Sequence, residues 1–225
     1  MKLTIVPTPI GNLEDITLRA LRVLKEVDFI FCEDTRTTKN LLKHYHIETR
    51  CYAYHINNEH KQVEQYVRWL QNGQTAALVS DAGTPGISDP GYLFIQECLK
   101  AEIEIECLPG ATALIPALVA SGFPCDKFYF HGFLPHKKGK ETALKMLSER
   151  NETVVFYESP HRLVKTLTMM QNIFAQETKI CVSREISKVF EEHFRGTISE
   201  AITHFSVKEV KGEIVVTCFR KTLKK

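Results

Sequence analysis

Short apolar runs alternate along the chain with longer stretches of helical spacing, the rhythm of strands and helices in an α/β protein. Residues 3–6 are uniformly apolar or β-branched and stop at Pro7, which predicts a buried strand. Across 16–27, Ile16, Ala20, Val23, Leu24 and Val27 recur at helical intervals, and Asp15 stands before them as the expected N-cap. A strand at 29–32, a helix at 38–44 and a helix at 63–70 stopped by Asn72-Gly73 come next. A strand at 76–79, a helix at 92–100, a strand at 103–108 and a helix at 113–120 complete the first half.

Ser121-Gly122-Phe123-Pro124 is a cluster of breakers and the expected domain junction, dividing the chain into 1–121 and 122–225. Beyond it, strands are expected at 128–130, 154–157, 180–182, 191–195 and 214–219, and helices at 142–150, 163–174 and 199–204. Glu191-Glu192-His193-Phe194-Arg195 alternates from residue to residue, which suits an antiparallel or mixed sheet with one wet face. No internal repeat or low-complexity tract interrupts the pattern. The fold class is therefore α/β, with two α/β domains of similar size.

Composition narrows the setting more than the chemistry. Hydrophobic residues make up 44% and charged residues 25% of 225, ordinary for a globular protein. A chain of this size buries roughly 70% of its unfolded surface and needs no disulfide or metal staple. The seven cysteines are odd in number and lack a C-x-x-C pair, so reduced core cysteines of a cytoplasmic protein are expected. The first residues run directly into a strand without an apolar leader, and no run approaches the ~18 apolar residues of a membrane helix. A net charge of +2 neither identifies nor excludes a nucleic-acid partner, because local patches outweigh totals.

Loops at the carboxyl ends of strands carry the ligands of open α/β sheets, and three loops of the first half stand out. Pro7-Thr8-Pro9-Ile10-Gly11-Asn12-Leu13-Glu14-Asp15 is a stiff turn with Gly11 as its one point of close approach. Residues 80–91 hold three glycines, two prolines, Asp81 and Asp89 within twelve positions, too concentrated for a plain connection. Leu108-Pro109-Gly110-Ala111-Thr112-Ala113 puts small residues at a helix start, where unpaired N–H groups meet polar ligand atoms. Two other readings fail. Gly11 alone cannot make the G-x-G-x-x-G of a dinucleotide fold, although Glu33 and Asp34 follow at about the right distance, and no G-x-x-x-x-G-K-[ST] is present.

Taken together, these loops resemble the ribosomal RNA small subunit methyltransferase I family, within the tetrapyrrole methylase superfamily of class III S-adenosylmethionine methyltransferases. The resemblance rests on the first loop with its flanking Val6 and Ile16, Glu33-Asp34-Thr35-Arg36, residues 80–91 and Pro109-Gly110-Ala111. It continues through Gly132-Phe133-Leu134-Pro135, Tyr157-Glu158-Ser159-Pro160-His161-Arg162, Arg184-Glu185 and Lys211-Gly212-Glu213. It implies two α/β domains of tetrapyrrole-methylase type with the cofactor cleft between them, a homodimer, and transfer of a methyl group from S-adenosyl-L-methionine to a cytidine 2′-hydroxyl in small-subunit (16S) rRNA.

Carried onto this chain, the resemblance implies cofactor contacts from Pro9, Gly11, Asp81, Gly83, Thr84, Ile87, Thr112 and Ala113. Phe133, Tyr157 and the turn Lys211-Gly212-Glu213 are expected near the adenine. Longer members carry a further small C-terminal domain; here the chain closes on Lys221-Thr222-Leu223-Lys224-Lys225, so RNA docking is expected to rest on the two core domains.

A ribose hydroxyl needs a proton acceptor close by, for which Glu33 or Asp34 is the expectation, with Arg36 as a ribose or phosphate clamp. His161 and Arg162, also after a strand, are rivals. The basic run Lys137, Lys138 and Lys140 is the expected contact to the RNA backbone, alongside Arg162. No metal is expected: His44 and His46, or His55 and His60, lack partners at ligand spacing. A methylase of tetrapyrroles or other small molecules on the same fold, and a non-catalytic RNA-binding relative, are the alternatives.

Overall fold

The computed structural model describes residues 1–220; the closing run Lys221-Thr222-Leu223-Lys224-Lys225 lies outside them. The chain divides into two compact units, Met1–Thr112 and the part from Ala113 onward. The division falls at the start of the helix expected at 113–120 rather than at its end, because that helix packs on strands of the second unit.

The first unit runs β1 (Lys2–Ile5), α1 (Leu18–Glu26), β2 (Phe29–Cys32), α2 (Thr35–His44), β3 (Arg50–Ala53), α3 (Glu59–Gln71), β4 (Thr75–Val79), α4 (Tyr92–Lys100) and β5 (Glu104–Cys107). Its five strands are parallel in the order β3-β2-β4-β1-β5. Alternation along each strand feeds two cores. Leu3, Ile5, Phe31, Ala76 and Leu78 pack under α3 and α4, while Ile30, Cys32, Ala77 and Val79 pack under α1 and α2. The first of these cores is aromatic, with Phe31 stacked on Tyr66 at 4.2 Å and edge-on to Phe94 at 5.2 Å.

Three expectations need correction. Thr17, not Asp15, caps α1: its hydroxyl accepts from the Ala20 N–H, while Asp15 closes a short 3-10 turn, Leu13–Asp15, that Asn12 caps. The helix expected from residue 38 starts at Thr35, because the Asp34 carboxylate caps it. Strand β3 is absent from the sequence reading, since Arg50-Cys51-Tyr52-Ala53 is short, partly exposed and lacks a clean apolar period.

The second unit runs α5 (Leu114–Ser121), β6 (Phe128–Phe133), α6 (Lys140–Ser148), β7 (Thr153–Glu158), α7 (Leu163–Ile173), β8 (Lys179–Arg184), β9 (Glu192–Thr197), α8 (Ile198–Ser206) and β10 (Ile214–Phe219). The sheet order is β6-β7-β10-β8-β9, parallel only between β6 and β7, so the mixed sheet is as expected. One core packs this sheet against α6, α7 and α8, and a capping box of Thr197 and Glu200 opens α8. All seven cysteines are free; Cys107 and Cys125 are exposed rather than in the core. Among the described residues no helix is long and apolar enough to cross a membrane.

Candidate functional site

In the first sheet, β1 leads away to β2 on one side while β4 leads to β5 on the other, so the carboxyl ends of the adjacent β1 and β4 form the switch point where such sheets bind ligands. The two expected loops meet there. Thr8 and Gly83 exchange both backbone hydrogen bonds at 2.9 Å. The buried Thr8 hydroxyl donates to the Ser80 carbonyl at 3.0 Å, and the Ser80 hydroxyl donates to the Gly83 carbonyl at 3.2 Å. The third loop joins through the Thr84 hydroxyl, which donates to the Ala111 carbonyl at 3.1 Å.

Gly110 shows how closely these loops approach: a Cβ there would lie 2.7 Å from Pro7 Cβ. Gly110→Ala is therefore expected to cost about 1–3 kcal/mol of stability through overpacking, measured by denaturant unfolding. Pro9, Gly11, Asp81, Gly83, Thr84, Ile87 and Thr112 all lie on these three loops. Ala113 is the N-cap of α5 and supplies no side-chain cap, leaving the first N–H groups of that helix available.

The loop after β2 borders the same edge. The Asp34 N–H donates to Asp81 Oδ1 at 3.1 Å, which brings Glu33, Asp34 and Asp81 into one acidic group. Their environments differ. Asp34 accepts from the Arg36 backbone N–H at 2.7 Å and from its guanidinium at 2.6 and 3.1 Å; the Arg36 side chain above all holds its carboxyl down to about 2. Glu33 is raised above the usual glutamate range, by burial first and then by the Asp81 charge, with His55 opposing. Burial also raises Asp81, with the Asp34 charge adding to it and the Asp34 N–H opposing. His55 went unassigned in the sequence; it is half-buried and its Nδ1 lacks a hydrogen-bond partner among the described residues.

The second unit gathers its motif residues at one sheet edge too. Register sets Phe133 beside Tyr157, with rings 5.3 Å apart and edge-on, and Ile214 opposite both Glu158 and Arg184. Lys211-Gly212-Glu213 therefore lies by the carboxyl ends of β7 and β8. Arg184-Glu185 holds this turn: Arg184 Nη1 donates to the Lys211 carbonyl at 3.2 Å and the Glu213 N–H donates to Glu185 Oε1 at 3.0 Å. Gly212 has φ +89°, and a Cβ would fall 2.3 Å from the Glu185 carboxyl, so only glycine fits. Lys188 bridges Glu185 and Glu213 at 3.0 and 3.1 Å; its role had no signal in the sequence.

The basic run divides. Lys137 and Lys138 are exposed, but Lys140 is 5% exposed and cannot serve as a surface contact to RNA phosphates. Its Nζ lies 2.7 Å from Glu158 Oε2, and Arg162 Nη2 lies 2.8 Å from Glu158 Oε1. The Thr166 hydroxyl and the Ser159 N–H also donate to this carboxylate at 2.6 and 2.7 Å. Burial opposes the Glu158 charge, yet Lys140, Thr166 and Ser159 outweigh it and hold the carboxyl below the usual range. Arg162 is thus tied into the interior, while His161 is exposed on the short 3-10 turn Pro160–Arg162.

A mixed two-sheet α/β chain with loops knit at a switch point matches a known class. The family described as Tetrapyrrole (Corrin/Porphyrin) Methylases matches residues 2–202. Among solved structures, cobalt precorrin-4 methyltransferase aligns with a TM-score of 0.72 at 16% identity, covering 97% of this chain and 94% of that one. Uroporphyrin-III-C-methyltransferase from Thermus thermophilus aligns with a TM-score of 0.66 at 18% identity, covering 96% and 93%. At these identities the likeness is one of fold.

Sequence relatives are more specific. The ribosomal RNA small subunit methyltransferase I of Thermotoga maritima is 47% identical over 96% of both chains. The proteins of that name from Synechocystis and Bacillus subtilis are each 47% identical over 94% of this chain, which spans 76% and 72% of their lengths. The chain belongs to the ribosomal RNA small subunit methyltransferase I family of the tetrapyrrole methylases.

Proposed function

We propose that the chain methylates the ribose 2′-hydroxyl of a cytidine in small-subunit (16S) ribosomal RNA, with S-adenosyl-L-methionine as donor. One observation carries the mechanism: Glu33, a carboxylate raised by burial and by Asp81, stands at the carboxyl edge where the loops after β1, β4 and β5 are knit together. Family membership at 47% identity over nearly the whole chain supports the substrate.

Fit to such a donor is supported by Asp81, whose carboxylate stands beside the Asp34 N–H, and by Ala113, which leaves the first N–H groups of α5 without a side-chain cap. Pro9, Gly11, Asp81, Gly83, Thr84, Ile87, Thr112 and Ala113 are its proposed contacts, together with Phe133, Tyr157, Lys211, Gly212 and Glu213. When bound, the donor supplies a methyl group already activated as a sulfonium.

Glu33 accepts the 2′-hydroxyl proton. Asp34 holds Arg36 in the orientation of a clamp and is a poor proton acceptor, being paired and strongly acidic. His161 and Arg162 shape the edge of the second unit, and Lys137 and Lys138 contribute charge toward RNA. The partner is rRNA or the assembled small subunit; the protein acts in the cytoplasm, as a homodimer.

Purified protein, labelled donor and small ribosomal subunits, set beside a porphyrin precursor, test the reading. Label is expected on the subunits alone. Transfer to the porphyrin alone, or to neither, contradicts it.

A further inference from the structure

We propose that the groove formed by α2 and the start of β3 is the track that binds the RNA phosphate backbone beside the methylated nucleotide. The proposal rests on the rRNA reading and says where that RNA docks. The groove encloses about 630 Å³ and is lined by Lys39, Lys43, His46 and Arg50, all exposed, with Glu48 as its one carboxylate and Tyr52 at its side.

Its charge is unspent. Lys2, Arg19, Arg22, Arg36, Arg68 and Lys100 of the first unit all sit in ion pairs. Lys25, Lys39, Lys43, Arg50 and Lys61 have none among the described residues, and three of these five line the groove. A pairing carboxylate offsets part of a surface cation's field, whereas an unpaired row in a concavity concentrates positive potential.

The row also leads to the right place. Arg36, Lys39 and Lys43 are three and four residues apart and so share one face of α2. That face extends ~10 Å from Arg36 to Lys43. The helix starts directly after Glu33-Asp34 at the carboxyl edge of the sheet and runs to the opposite edge, where Arg50 pairs in register with Phe29, the first residue of β2. A strand of RNA laid along it has one end beside the proposed proton acceptor. Burial of Lys140 leaves two exposed lysines, Lys137 and Lys138, in the basic run after β6, against three exposed cations lining this groove.

The test replaces Lys39→Gln, Lys43→Gln and Arg50→Gln together. These side chains are exposed, and an unchanged melting temperature confirms the fold. Releasing three phosphate contacts should flatten the slope of log affinity against log salt by about 2 for single-stranded RNA. KM for small subunits should rise about tenfold or more, with kcat and donor affinity unchanged. Lys137→Gln with Lys138→Gln, as comparator, should flatten the slope less. A triple variant with wild-type slope and KM, while the wild type methylates subunits normally, overturns the groove alone. A wild type that transfers no methyl to subunits overturns the functional reading and the groove with it.

Discussion

Replacing Glu158 with glutamine is expected to lower the unfolding free energy by about 3–5 kcal/mol, the cost of leaving a buried charge without its partner. The Glu158 side chain is fully buried and is the carboxylate paired with both the Lys140 and the Arg162 side chains, which are 6% and 17% exposed. Losing the carboxylate strands an ammonium in the interior. Lys140→Met should cost less than Glu158→Gln, because Arg162, Ser159 and Thr166 still satisfy the carboxylate. Combining Lys140→Met with Glu158→Gln should recover part of the loss, since the stranded ammonium is gone. Denaturant unfolding of the three variants measures this order, and Glu158→Gln within 1 kcal/mol of wild type would refute it.

The pH dependence follows from the same pair. The folded-state value of Glu158 is depressed, so its contribution is present above the unfolded value of about 4.3. It is lost as pH falls through the lower folded value.

Glu33→Gln is expected to reduce kcat by roughly 10²–10⁴, the range for loss of a positioned proton acceptor, with donor affinity retained. The amide keeps the shape but cannot take the proton. The active form is the carboxylate, so turnover should be full above the Glu33 value and decline as pH drops through it. Because that value is raised, the acid limb should lie above the ordinary glutamate range of about 4.3, and Glu33→Gln should abolish the limb. Asp34→Asn and His161→Ala should keep kcat within about tenfold of wild type, since the Asp34 carboxylate is committed to Arg36 and the exposed imidazole makes no hydrogen bond, ion pair or ring contact among the described residues. Single-turnover rates across pH decide among them; an Asp34→Asn loss as large as that of Glu33→Gln would move the role to Asp34.

Much of the fold was legible because burial imposes periods on the chain. In β4, Ala76 and Leu78 face one core while Ala77 and Val79 face the other, and a run apolar on both faces marks a central parallel strand. Strand β3 escaped because an edge strand with Arg50 at its start and partly exposed neighbours needs no such period. Caps were harder: Asp15, Thr17 and Asp34 are all competent, and only the path of the backbone decides which hydroxyl or carboxylate reaches an orphan N–H.

Within the candidate site, the loops were visible through their glycines and prolines, and the joining of Thr8, Ser80 and Gly83 explains that composition. What sequence could not separate was Glu33 from Asp34, or Lys140 from Lys137 and Lys138. Adjacent residues of the same charge differ only in what surrounds them: a guanidinium for Asp34, a buried carboxylate for Lys140. The unpaired row Lys39, Lys43 and Arg50 is likewise dispersed in sequence and gathered only by the packing of α2 against β3.

Nucleoside analysis of small-subunit RNA, after incubation with the protein and labelled donor, reads out both the methyl acceptor and the role of Glu33. Labelled 2′-O-methylcytidine is expected as the modified nucleoside with wild-type protein, with near-complete loss in Glu33→Gln. Label on a base, on another nucleoside, or unchanged in Glu33→Gln would contradict it.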